Sequence, residues 1–163
     1  MLNDVHVFTD GSSYISNDTK YGGIGIFFSD NNPFNYSKGY EGARSTNQRM
    51  ELLACIEAII IISNNVQHDN TTIHTDSTYV INCMTLWSRK WIKNNWKRNN
   101  NKKICNLDEI QKLYELTNKY NVKYTHIRSH TKKIKKSSPQ YNHWHGNYCA
   151  DKLAKEAMNS MRQ

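Results

Sequence analysis

Four acids in this chain stand where their side chains could converge on one centre: Asp10, Glu51, Asp76 and Asp151. Asp10 closes the alternating run Val5-His6-Val7-Phe8-Thr9, and the Gly11-Ser12-Ser13 that follows is turn chemistry. Asp76 closes a second β-rich run, Thr71-Thr72-Ile73-His74-Thr75. Glu51 and Asp151 each fall one turn into an expected helix. If the two strands are neighbours, both aspartates emerge at one sheet edge, the place outside strand carboxyl ends where α/β sheets bind ligands. Converging carboxylates repel one another, and a hard divalent cation resolves that repulsion. Two such ions about 3.5–4 Å apart clamp the attacking and leaving oxygens of a phosphodiester displacement. Taken singly, each acid serves equally well as a turn cap or as negative charge at a helix N-terminus.

The elements that must position these acids are legible in outline. The first strand is expected to end at Asp10, with residues 12–20 as a polar loop. Tyr21-Gly22-Gly23-Ile24-Gly25-Ile26-Phe27-Phe28 reads as a strand whose glycines permit close backbone approach. A turn at residues 29–33 leads into a third strand over 34–40. Met50, Leu53, Ala54, Ala58 and Ile61 recur at helical spacing, predicting a helix from Asn47 to about residue 63. After the strand at 71–75, Ser77-Thr78 starts a short helix through Met84. Leu107, Ile110, Leu113, Tyr114 and Thr117 mark another helix, and residues 122–127 a fifth strand. Residues 130–144 read as a long basic loop, and Ala150, Leu153, Ala154, Ala157 and Met161 form the stripe of a last helix. A three-stranded meander followed by strands alternating with helices predicts an α/β fold: a five-stranded mixed sheet flanked by helices. With no repeat and no linker, residues 1–163 are expected to form one domain.

Charge is divided unevenly along the chain. Residues 1–76 hold nine acids against four Lys and Arg, whereas residues 77–163 hold five against eighteen. No acid lies between Asp76 and Asp108 or between Glu115 and Asp151. That asymmetry points to a polyanionic partner, most simply nucleic acid. Seven Lys and Arg fall between Arg89 and Lys103 without one acid, an electrostatic footprint for a phosphate backbone. Trp87 and Trp91, four residues apart, share a helix face within it; either anchors the segment or stacks on a sugar. The chain's opening lacks a basic and then apolar leader, so no secretory signal is expected. The most apolar run, residues 52–62, is broken by Glu57 and too short to span a bilayer. Cys55, Cys83, Cys105 and Cys149 form no Cys-x-x-Cys pair, which predicts reduced thiols in an intracellular, cytoplasmic protein without a membrane partner.

Four strings carry a family resemblance: Phe8-Thr9-Asp10-Gly11-Ser12, Thr46-Asn47-Gln48-Arg49-Met50-Glu51-Leu52, Thr75-Asp76-Ser77-Thr78-Tyr79-Val80 and Asn147-Tyr148-Cys149-Ala150-Asp151-Lys152-Leu153-Ala154. In order and spacing they resemble the four motifs of ribonuclease H type 1, over almost the whole chain. The resemblance implies an RNase H-like fold and endonucleolytic hydrolysis of the RNA strand of RNA–DNA hybrids, leaving 5′-phosphate and 3′-hydroxyl ends. It implies that Asp10, Glu51, Asp76 and Asp151 hold two Mg²⁺ ions, with Mn²⁺ as a substitute. His130, after the fifth strand, matches the family's mobile-loop histidine, able to pass a proton or help product leave. Sixteen residues separate it from the last motif, a longer and more lysine-rich loop (about 131–146) than the family usually has.

The same resemblance implies roles in substrate binding. Ser13, Asn47, Gln48 and Thr78 match positions that meet the 2′-hydroxyl, a group that both donates and accepts. Arg44, Thr46 and Asn106 match a pocket for a DNA-strand phosphate. Arg49 is placed equally well for ion pairing or packing. Residues 87–103 resemble the basic handle with which some members grip the DNA strand, through Trp87, Lys90, Trp91, Lys93, Lys97 and Arg98. His143, His145 and Cys149 have ligand chemistry suited to zinc but lack an evident fourth ligand. A monomer is expected. Alternatives are a non-catalytic hybrid-binding module, the ribonuclease H domain of a reverse-transcriptase-type polyprotein, and a related-fold DNA junction nuclease. Four converging acids count against a pure binder, which gains nothing from negative charge beside a polyanion.

Overall fold

Alternate residues of the first strand, β1 (Asp4–Ser16), serve two different layers in the computed structural model, which describes residues 3–129 and 132–163. Val7 packs into the larger apolar core, whereas Phe8 joins Phe27 and Ala150 on the other side. This is the period-two logic of a strand buried on both faces. β1 pairs antiparallel with β2 (Thr19–Phe27), which pairs antiparallel with β3 (Tyr36–Glu41). On its other edge β1 runs parallel to β4 (Asn70–Thr75), itself parallel to β5 (Val122–His126). The order β3-β2-β1-β4-β5 is the expected five-stranded mixed sheet.

One face is covered by α1 (Asn47–Asn65), whose Leu52, Cys55, Ile56, Ile59 and Ile62 meet Ile73 and Val7, and by α4 (Leu107–Lys119). α5 (Tyr141–Ser160) covers the other. Its approach depends on β2 glycines: a Cβ on Gly25 would collide with the Ala150 carbonyl, and one on Gly23 with that of Ala154. The glycines read as close-approach residues therefore set the depth at which α5, and with it Asp151, lies on the sheet.

The structure corrects the expected boundaries in four places. Residues 12–20 are not a loop: β1 and β2 pair down to Ser16 and Thr19 around Asn17-Asp18, both at positive φ (48° and 62°). That is the backbone of a tight hairpin turn, which Asn and Asp tolerate. Asp10 is consequently inside β1, two residues beyond the last β1–β4 rung at Phe8 and His74. The third strand begins at Tyr36, because Asn32 and Asn35 tie the preceding turn to Ser29. The helix after Asp76 does not stop at Met84: α2 (Thr78–Asn82) passes through one wide π turn (Cys83–Trp87) into α3 (Ser88–Lys93). α5 starts before Trp144, within the expected basic loop, so Asp151 lies at mid-helix and not one turn in. His130 and Thr131 lie outside the described residues.

Candidate active site

Three of the four acids share one centre. Asp10 and Glu51 are buried, Asp76 is half-buried, and one carboxylate oxygen from each lies within 4.8 Å of the others. Each arrives by a different device. Asp10 rides on β1 just past the point where β4 ends, and Asp76 is the first residue after β4. Glu51 comes one turn into α1, whose N-terminus is capped by the Thr46 hydroxyl accepting from the Arg49 amide at 3.3 Å. Gly11 lets the helix sit close, since a Cβ there would meet the Glu51 amide and Met50.

Asp151, half-buried on α5, lines the same cleft of about 450 Å³ together with Asn47, Gln48, Thr78 and Ser129. Burial, followed by the charges of Glu51 and Asp76, pushes Asp10 far above the ordinary carboxylate range. Burial also raises Glu51. The buried Glu51 Oε2 has no hydrogen-bond partner among the described residues. Acids held this close, one with an orphaned buried oxygen, are what a hard divalent cation satisfies. The donor set fits: every group is a carboxylate oxygen, and the open cleft leaves room for waters and phosphate oxygens.

Of the residues expected to touch substrate, Asn47, Gln48 and Thr78 are brought to the acids, whereas Ser13 lies on the β1–β2 hairpin opposite Gly22 and outside the cleft lining. Arg44 and Arg49 both turn to the buried Glu109 of α4, at 2.9 and 2.7 Å. Arg49 is therefore an ion-pairing residue, while the Arg44 side chain stays 62% exposed and open to a further anion. Asn106, in the left-handed region ahead of α4, donates to the Tyr79 hydroxyl at 3.3 Å.

Trp87 and Trp91 are half-buried and packed against the core, their rings 5.8 Å apart, so both anchor the handle. With Lys90 and Arg98 they also line a groove of about 440 Å³. Lys93 and Lys97 are exposed on the same segment. Tyr79 lines the acid cleft and meets Trp87 edge-on at 6.1 Å, which makes the root of the handle continuous with the cleft wall.

Two residues of the site were not singled out from sequence. Lys155 lines the cleft and places its ammonium 2.8 Å from Asp151 Oδ2; its position one helical turn after Asp151 was the available signal. Glu109 holds both arginines, and no local pattern marks an acid whose partners are sixty residues away. Among the histidines, His143 turns edge-on to Phe8 and His74 and away from Cys149's cluster. His74, buried and bonded to His6 at 2.9 Å, is pushed down to about 4 by burial and then by its histidine neighbours, so it is neutral and structural.

Fold and cleft together define a class: an α/β protein with a cluster of carboxylates at the carboxyl end of a central parallel strand pair. The RNase H family model matches residues 2–159. The chain belongs to the RNase H family of enzymes, as its motifs implied. It is 37% identical over 152 residues to a ribonuclease H of Orientia tsutsugamushi (strain Boryong), covering 92% of this chain and 79% of that protein. Among solved structures it resembles LC9-RNase H1, described as a type 1 RNase H with the type 2 active-site motif, at TM-score 0.72 and 23% identity, covering 98% of this chain and 74% of that one. It also resembles part of a foamy viral protease-reverse transcriptase in complex with RNA/DNA hybrid, at TM-score 0.71 and 21% identity, covering 96% of this chain and 20% of that one. At those identities the two structures bear on the fold alone.

Proposed function

We propose that the protein is a single-domain, monomeric endoribonuclease that hydrolyses the RNA strand of RNA–DNA hybrids, leaving 5′-phosphate and 3′-hydroxyl ends. The observation that carries this reading is the set of Asp10, Glu51 and Asp76 oxygens within 4.8 Å of one another, with Glu51 Oε2 unsatisfied, in a family whose relatives bear the name ribonuclease H. Asp10, Glu51, Asp76 and Asp151 would hold two Mg²⁺ ions, or Mn²⁺ in their place. Bound there, the cations supply Lewis-acid stabilisation of the phosphodiester and a water nucleophile usable at neutral pH.

The chain's own groups do the rest. The strand and helix backbones hold the acids in place, so little reorganisation is needed at the moment of reaction. Asn47, Gln48 and Thr78 stand in the cleft wall beside Glu51, where amides and a hydroxyl can recognise a 2′-hydroxyl. Ser13 is assigned the same task from its motif. The exposed Arg44, with Thr46 and Asn106, suits a DNA-strand phosphate. His130 is assigned proton transfer or product release. Handle and lysine-rich loop supply most of the affinity for the hybrid. Among the described residues no helix is long and apolar enough to cross a membrane; a cytoplasmic location is our assignment.

The test is cleavage of labelled hybrid, duplex DNA and single-stranded RNA with Mg²⁺ or with EDTA. Cleavage confined to the hybrid's RNA strand, lost with EDTA and in Asp76→Asn, is expected. Metal-independent cleavage, or none on the hybrid, overturns the reading. A hybrid-binding module that does not cleave is the alternative outcome, and the orphaned Glu51 oxygen speaks against it.

A further inference from the structure

A second group of metal-ligand side chains lies away from the acid cleft. His145 and Cys149 stand one turn apart on α5, and Asp30 reaches them from the turn between β2 and β3. One ligand atom from each lies within 4.8 Å of the others. We propose that Asp30, His145 and Cys149 form a Zn²⁺ site that ties the β2–β3 turn to α5, with a water in the fourth position. The proposal goes beyond the nuclease reading and does not depend on it.

The geometry is close to what the ion needs. In a tetrahedral zinc site the edge between an imidazole nitrogen and a thiolate is about 3.6 Å, from bonds of about 2.0–2.1 and 2.3 Å. His145 Nε2 and Cys149 Sγ are 3.5 Å apart. Asp30 Oδ1 is 2.8 Å from the same nitrogen, a hydrogen bond that must open by about half an ångström to become a ligand edge. Asp30 can give way, because its side chain is 72% exposed on a turn, whereas that of His145 is only 26% exposed. On binding, the Cys149 thiol proton leaves to solvent as the Zn–S bond forms. The neutral imidazole then carries its one proton on Nδ1 and offers Nε2 to the metal.

The surroundings hold these ligands in place, as outer-shell groups do around metals. His145 is stacked on Tyr141 at 5.5 Å and meets the edge of Phe27 at 5.7 Å. The turn bearing Asp30 is braced at Ser29 by the Asn32 amide and the Asn35 side chain, and Asn35 in turn accepts from the Phe28 amide at 2.8 Å. Cys149 lies half-buried against Phe8, Phe27 and Ala150. It precedes Asp151 by two residues, about 200° around the helix, so the two faces serve different centres. The mixed N, S and O donor set suits zinc, where the all-carboxylate cleft suits magnesium.

The experiment is Co²⁺ titration of the reduced, full-length protein with excess Mg²⁺ present to occupy the carboxylates. A thiolate-to-cobalt charge-transfer band saturating at one equivalent, and bleached by Zn²⁺, is expected. The band should survive in Cys105→Ser, vanish in Cys149→Ser and His145→Ala, and require at least about tenfold more Co²⁺ in Asp30→Asn. Circular dichroism confirms that each variant is folded. No band in the unmodified protein, a band undiminished in Cys149→Ser, or affinity unchanged in Asp30→Asn overturns the site. Hybrid cleavage by the same samples reads the nuclease separately.

Discussion

Lys155 places its ammonium 2.8 Å from Oδ2 of Asp151, one helical turn along α5, on the wall of the acid cleft. The hydrogen bond to Asp151 raises the lysine's pKa, so the group is a fixed positive charge beside the carboxylates. It competes for an oxygen that a cation would use.

Replacing Lys155 by Met should therefore tighten Mg²⁺ binding a few-fold, on the order of 0.5–1 kcal/mol for a partly exposed pair. Calorimetric titration of Mg²⁺ into the variant checks this. Unchanged affinity would show that the lysine is a solvated neighbour with no bearing on the metal.

Asp10 carries the opposite liability. Burial beside Glu51 and Asp76 holds its carboxyl protonated in the metal-free protein at neutral pH, a proton uptake that costs stability relative to the unfolded chain. Asp10→Asn removes that protonation cost and should stabilise the EDTA-treated protein by roughly 1–2 kcal/mol in urea denaturation at pH 7. Hybrid cleavage should be lost at the same time. A less stable, inactive variant would mean that Asp10 serves folding.

Glu109 is a structural acid with a defined pH signature. Burial alone would raise it, but Arg49 and Arg44, aided by a backbone hydrogen bond, hold it below its ordinary value of 4.5. A carboxylate depressed in the folded state binds more protons when unfolded, so its stabilisation is complete above 4.5 and is lost as pH falls through the lower folded value. Glu109→Gln should cost about 1–3 kcal/mol at pH 7 and flatten the acid limb of the stability curve below about pH 4.5. Denaturant melts at pH 3–7 measure both.

The handle makes a prediction about salt. Lys90, Lys93, Lys97 and Arg98 are exposed around a groove rooted on Trp87 and Trp91. Neutralising all four should raise KM for the hybrid and leave kcat within about twofold. The slope of log affinity against log salt should shrink by about 0.9 for each phosphate that the handle no longer neutralises. An unchanged slope would show that the segment does not grip the backbone.

Much of this was legible in the chain because the signals are local. An alternating run ending in Asp10 and another ending in Asp76 mark two strands, and the helical recurrence of Met50, Leu53, Ala54, Ala58 and Ile61 marks the helix that carries Glu51. The tryptophans and lysines of residues 87–103 mark a protrusion that has to be both anchored and solvated. Periodicity and capping act within a few residues, so they survive in the sequence. Asp10's place inside a longer strand was missed because hairpin register is a cross-strand property: Ser16 pairs with Thr19 only once β2 is present. Asp151's place at mid-helix was missed because no cap residue marks the start of α5: Gln140, just ahead of Tyr141, makes no side-chain capping hydrogen bond. The convergence of Asp10 with Glu51, the two arginines on Glu109, and the meeting of Asp30 with His145 across 115 residues are decided only when α1, α4 and α5 dock on the sheet. Such pairings depend on distances between elements, and those are set by the core and by close-approach glycines, not by any neighbour in the chain.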